Sequence, residues 1–103
     1  MIRYAFKMKL RPGYAEDYKR LHDEIPHELI RAHEEAGISD YTIFLDEETG
    51  TLFATMKLKD HNQLEALAEN EVVRKWWSIK THMMEYDGDR PATTPLRELF
   101  HMD

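Results

Sequence analysis

Tyr18 and His22 stand four residues apart, the interval that places two side chains on one face of a helix. Tyr14 falls on the same stripe, so the face offers two phenols and an imidazole where a dry core would take aliphatic groups. Buried without partners, such groups cost on the order of 1–3 kcal/mol each, which favours a site over a packed interior. An imidazole both gives and takes protons near neutral pH, making His22 the candidate acid–base residue. The plainer reading of the spacing is a core stripe with one satisfied histidine.

Trp76-Trp77 is the second unusual pair. Adjacent helical residues point about 100° apart, so the two rings cannot share one stripe. One can anchor the core while the other borders a pocket or a subunit interface. Indole faces suit the C–H faces of sugars, and the indole N–H can donate to a hydroxyl. Histidines at 22, 27 and 33 raise the question of a metal. His27 and His33 are six apart, about 240° around a helix, whereas a zinc helix needs two histidines four apart. Pro26 separates His22 from His27, and no metal site is expected. There is no Gly-rich phosphate loop and no serine in a nucleophile elbow.

The elements that must position these residues follow from periodicity. Residues 2–10 alternate, with Ile2, Tyr4, Phe6, Met8 and Leu10 on one side, which predicts a half-buried strand. After Arg11-Pro12-Gly13, Tyr14, Tyr18, Leu21, His22, Ile25 and Leu29 recur at helical steps. Pro26 should interrupt that helix, with a second piece from His27 to Ala36 ending on Gly37. Tyr41–Leu45 and Leu52–Leu58 read as strands joined by the turn Asp46-Glu47-Glu48-Thr49-Gly50. Asp60 and Gln63 suggest a cap for a helix over about 61–69, and a further helix is expected around 71–84. After Asp87-Gly88-Asp89-Arg90-Pro91, the segment Leu96–Met102 is expected to form a last strand. Strand, helix, strand, strand, helix, strand points to an α+β domain, a ferredoxin-like βαββαβ fold.

At 103 residues the chain has room for one domain, expected over 1–103, with little interior for a deep private pocket. With 42% hydrophobic and 33% charged residues it reads as a folded globular protein. A formal charge of −6 and interleaved basic residues argue against nucleic acid. With no cysteine, disulfides, thiolate nucleophiles and Cys-based metal sites are excluded. No apolar run reaches a membrane span, and the alternating N-terminus lacks a signal-peptide block. A cytoplasmic location is expected.

Longer stretches carry a resemblance. Arg3-Tyr4-Ala5-Phe6-Lys7-Met8, the run from Tyr18 to Ile25, the run from Gly37 to Asp46, Thr51-Leu52-Phe53-Ala54, the run from Val72 to Trp77, and Leu99-Phe100-His101-Met102-Asp103 resemble the L-rhamnose mutarotase family, in order and over essentially the whole chain. The resemblance implies a homodimer of the dimeric α+β barrel type with a sugar pocket in each subunit and no cofactor. It implies His22 as proton donor and Tyr18, Tyr41, Trp76 and Trp77 as sugar-binding residues. Tyr41 is read from its own surroundings only as a strand residue.

Three places depart from the family pattern. Ile25-Pro26-His27-Glu28-Leu29 lacks the family's tryptophan, Asp87–Pro91 is shorter than the usual segment, and Thr81 is followed by His82 rather than aspartate. These changes bear on which sugar is preferred rather than on the reaction. Mutarotation opens a hemiacetal, rotates the aldehyde and closes the ring on the other face. Opening needs one proton delivered to the ring oxygen and another removed from the anomeric hydroxyl. His22 is the candidate for the ring-oxygen proton; a tyrosine or a water could serve as base. The alternatives are a mutarotase for another L-sugar such as L-fucose, a non-catalytic binding module of the same dimeric fold, and a cofactor-free monooxygenase on that scaffold.

Overall fold

The alternation of residues 2–10 is realised as strand β1, Ile2–Lys9, with Phe6, Met8 and Leu10 buried against the helices and Arg3 and Lys7 facing away. The structure is a computed structural model that describes residues 1–103. β2, Ile38–Asp46, and β3, Thr51–Leu58, form the expected hairpin. β3 alternates without a break: Leu52, Ala54, Met56 and Leu58 are buried, while Phe53, Thr55 and Lys57 are exposed. It runs antiparallel to β1 from Ile2↔Leu58 to Lys9↔Thr51. At the hairpin turn Gly50 has φ +75°, and a Cβ there would lie 2.8 Å from the Leu10 carbonyl oxygen. The close approach is held by a hydrogen bond between the same two residues, Leu10 N donating to Gly50 O at 2.8 Å.

Between β1 and β2 the chain packs two helices onto one sheet face. α1 is Ala15–Asp23 and α2 is His27–Glu35. Pro26, extended at φ −65° and ψ 141°, separates them because its ring removes a donor and disfavours helical geometry before it. Gly37 follows α2 at φ +87°, the left-handed residue that helix ends favour.

The second half differs from the sequence expectation in three places. The helix expected over 61–69 is a 3₁₀ helix, Leu64–Glu69. Asn62 rather than Asp60 organises its start, accepting from Leu64 N at 3.1 Å and donating to Lys59 O at 2.9 Å, a local turn that competes with helix formation. The helix expected to 84 stops early: α3 is Glu71–Ser78. Beyond it, Arg11 N donates to Met83 O at 2.8 Å and Leu10 pairs with Met84. These tertiary bonds, with both methionines buried, override local helix preference. A short hairpin of β4, Tyr86–Asp87, and β5, Arg90–Pro91, follows.

The last strand, expected over Leu96–Met102, is instead β6, Thr94–Pro95, opposite Phe6 and Lys7. Leu96 N donates to Ala5 O at 2.9 Å, and no strand follows. Leu99, Phe100 and Met102 are 78–80% exposed, so these apolar residues find no partner strand in the same chain. The sheet order is β2-β3-β1-β6, all antiparallel. Helices on one face of such a sheet make the α+β, ferredoxin-like arrangement.

Candidate active site

α1 presents its polar stripe inward. Tyr18 is buried and His22 half-buried, and the imidazole lies over the Tyr18 ring, centroids 4.2 Å apart and planes tilted by 32°. Trp76 meets His22 edge-on at 5.2 Å and 83°. The pose of Trp76 traces to the start of α3, where the Asn70 side chain accepts from Val72 N at 2.9 Å and Val73 N at 3.2 Å. That cap pairs two N–H groups of the first turn, and the helix buries Val73 and Trp76 on its inner face. Trp77 lies round the helix and is partly buried; the Arg90 guanidinium lies over its ring at 6.0 Å. The Tyr86 hydroxyl donates to Trp77 O, tying the β4–β5 hairpin to this helix.

Tyr41 arrives by a different device. Ser39 opposes Lys57, but the next pair is Thr42 opposite Thr55, so β2 carries one extra residue. Asp40 at this bulge has φ +50°, a left-handed conformation that Asp tolerates better than most residues. From Ile38, which is buried, simple alternation would send Tyr41 outward. The bulge turns it inward, as bulges beside sites often do, and its ring meets Phe6 at 6.4 Å and His33 at 5.8 Å.

Tyr18, His22, Tyr41, Trp76 and Trp77 line one open cavity of about 1050 Å³ between the helices and the sheet; Tyr14 does not, standing just before α1 with its ring against His82 at 5.5 Å. Tyr18, His22 and Trp76 form one contiguous cluster, with Tyr41 near enough to act on the Tyr18 hydroxyl; Trp77 borders the cavity. His27 and Glu28 do not line it, and no group of three or more metal-ligating side chains converges in the chain.

Burial shifts the titration of four groups that line the cavity. His22 Nδ1 lies 2.8 Å from the Tyr18 carbonyl oxygen. A carbonyl only accepts, so Nδ1 carries the proton and, in the neutral ring, Nε2 is the acceptor. Burial pulls the His22 pKa down to about 4, with the Lys80 charge acting the same way and the Tyr18 carbonyl opposing. His22 is therefore neutral at pH 7. The Tyr18 hydroxyl is buried and has no hydrogen-bond partner. Burial, reinforced by Tyr41 and Tyr86, pushes its pKa above the usual phenol range. Tyr41 has 40% of its surface accessible, partly as cavity wall, yet the protein around its hydroxyl pushes its pKa up to about 12. Both phenols are hydroxyl partners rather than bases.

Lys80 is the residue that sequence reasoning missed. It is 5% exposed and lines the same cavity. Its Nζ lies 5.0 Å from the Trp76 ring centre and 5.6 Å from that of Tyr18. Burial lowers its pKa to about 8. The available signal was its position four residues after Trp76, a lysine on the stripe that Val73 and Trp76 bury.

The chain is similar to known proteins along its full length. The family model described as L-rhamnose mutarotase matches residues 3–102. A protein named L-rhamnose mutarotase from Formosa agariphila is 44% identical, covering 100% of both chains. One of the same name from Brucella anthropi is 45% identical over 97% of this chain and 95% of its own. The crystal structure of the L-rhamnose mutarotase from Formosa agariphila superimposes with a TM-score of 0.91 at 43% identity, covering 100% of both chains. An inward-facing Tyr18–His22–Trp76 cluster on this fold, with relatives that match from end to end, leads to one assignment: this chain belongs to the L-rhamnose mutarotase family.

Proposed function

We propose that this chain interconverts the α and β anomers of L-rhamnose by proton transfer within the cavity lined by Tyr18, His22, Tyr41, Trp76 and Trp77. The observation that carries the reading is the unpartnered Tyr18 hydroxyl beneath the neutral His22 ring. A buried hydroxyl with no partner costs on the order of 1–3 kcal/mol; a sugar hydroxyl would remove that cost. His22 exchanges a proton with the sugar, and such positioned transfer typically contributes ~10²–10⁴-fold. Tyr18 and Tyr41 hold hydroxyls, while Trp76 and Trp77 pack the apolar face, including the 6-methyl group of a deoxy sugar. Ring opening and closure transfer no electrons, so proton-transfer groups suffice and no cofactor is required.

Saturation-transfer NMR tests the function on a panel of L-rhamnose, L-fucose, L-mannose and L-lyxose. L-rhamnose anomers are expected to exchange fastest in proportion to added protein. Faster exchange of another sugar would move the substrate assignment, and exchange of none would favour a binding module.

The working unit in this proposal is a homodimer in the cytoplasm. On the outer sheet face Phe44 lies opposite Phe53, at 62% and 37% exposure, and near the C-terminus Leu99, Phe100 and Met102 are also exposed. A second copy covering this face would bury what a monomer leaves open to water. Light scattering of the wild type and of Phe44→Asp checks this: a dimer is expected for the first and a monomer for the second.

A further inference from the structure

We propose that Lys80 is the second proton-transfer group, its ammonium protonating the ring oxygen of the sugar while His22 Nε2 takes the anomeric proton. The inference rests on the mutarotase reading above and divides the reaction between two residues that share both aromatic neighbours. The Lys80 ammonium and the His22 ring each lie within 5.6 Å of the Tyr18 and Trp76 ring centres, and both line the cavity.

The surroundings of Lys80 mark it as more than a structural cation. No carboxylate lies within ion-pair distance of its Nζ anywhere in the chain. A lysine 5% exposed without a counter-charge is rare, because an unpaired buried charge is costly. The groups facing it are Tyr18 and His22 from α1 and Trp76 from α3; Tyr41 from β2 and Tyr86 and Arg90 from the β4–β5 hairpin lie around the same cluster. None of these supplies a negative charge at neutral pH, and Tyr18 and Tyr41 are held in the protonated form. Within this cluster Lys80 is the group with a proton to give and His22 Nε2 the one with a free lone pair; His33, which also lines the cavity, meets Tyr41 instead, and Asp23, whose charge acts on His22, is exposed to solvent.

In the opening step, His22 Nε2 removes the proton from the anomeric O1. The O1–H electron pair forms the C1=O1 double bond, and the C1–O5 bond breaks with its electrons moving to O5. O5 takes a proton from Lys80 Nζ. The result is the open aldehyde, an imidazolium at His22 and a neutral amine at Lys80. After rotation about C1–C2, Lys80 takes the O5 proton as O5 attacks the other face of C1, and His22 returns its proton to O1. Each residue ends as it began. This places His22 at the anomeric hydroxyl rather than at the ring oxygen, where the residue pattern alone put it. It also makes His22 a proton donor in the closing half of each turnover. The low His22 basicity that burial and Lys80 impose makes its imidazolium a strong acid, which speeds that return.

The test measures anomer exchange of L-rhamnose against pH for the wild type, Lys80→Met and Lys80→Arg. Methionine keeps the length and removes the charge, so the fold is expected to persist, with circular dichroism as the check. Expected are a fall in kcat of about 10²-fold for Lys80→Met with KM within about threefold, and a decline in activity above about pH 8 in the wild type that is absent from Lys80→Met. Lys80→Arg should remain impaired, because guanidinium holds its proton beyond pH 12. A Lys80→Met rate within about threefold of wild type would overturn the proposal, as would restoration by arginine or a decline above pH 8 that persists without the lysine. A wild type that exchanges no sugar would overturn the mutarotase reading itself and this assignment with it.

Discussion

Two histidines in this chain make the same backbone contact in very different company. His22 Nδ1 lies 2.8 Å from the carbonyl oxygen of Tyr18, and His33 Nδ1 lies 2.8 Å from that of Leu29. Each reaches back four residues along its own helix, so each is fixed in the same tautomer with Nε2 free. Both line the cavity. His22, however, lies over Tyr18, abuts Trp76 and feels the Lys80 charge, whereas His33 meets Tyr41 across 5.8 Å. A helical i, i−4 bond sets which nitrogen is available; the walls around the ring set what that nitrogen can do.

The largest difference should appear in turnover. Replacing His22 with Asn, which can still donate to the Tyr18 carbonyl, should cut the anomer exchange rate by about 10²–10⁴-fold with unchanged circular dichroism. The same replacement at His33 should leave the rate within about fivefold of wild type. Equal losses at the two positions would mean that the Tyr18–Trp76–Lys80 surroundings do not matter. Next in size is Tyr18→Phe, where two effects should run in opposite directions. Removing the unpartnered hydroxyl should stabilise the free protein by about 1 kcal/mol and weaken sugar binding about tenfold, worth about 1.4 kcal/mol. Urea unfolding and calorimetric titration with L-rhamnose check the pair; a destabilised variant with unaltered affinity would assign the phenol to packing alone.

A further effect is on stability against pH. The folded His22 pKa of about 4 lies below the ordinary 6.5, so between those values the unfolded chain holds a proton that the folded chain does not. Stability should therefore rise as pH increases through this window, and fall as pH drops from about 6.5 to about 4. Comparing urea midpoints at pH 7 and pH 5 should show this loss in the wild type and in His33→Asn, with a reduced loss in His22→Asn. A loss undiminished in His22→Asn would place the responsible group elsewhere.

How much of this was legible beforehand divides by the range of the interaction. The β1 and β3 alternation, the break at Pro26 and the Tyr18–His22 pairing are set by neighbours a few residues away, and a linear reading finds them. Where the helix after Trp76 stops is set by Leu10 and Arg11 pairing with Met84 and Met83, partners more than 70 residues distant in sequence. No local pattern announces that. Leu96–Met102 is rich in apolar residues, but Leu99, Phe100 and Met102 stay exposed, and a strand forms only where Phe6 and Lys7 supply an edge. Tyr41 needed the bulge at Asp40, which depends on the register of β3. Lys80 stands in the turn after α3, and nothing local shows that it comes to rest at the Tyr18 and Trp76 rings.

The most direct test of the account is saturation transfer between L-rhamnose anomers, measured side by side for the wild type, His22→Asn and His33→Asn. Exchange that grows in proportion to protein for the wild type and His33→Asn, and falls to near the buffer rate for His22→Asn, is the predicted result. Exchange by His22→Asn at the wild-type rate, or no exchange above buffer by the wild type, would contradict it.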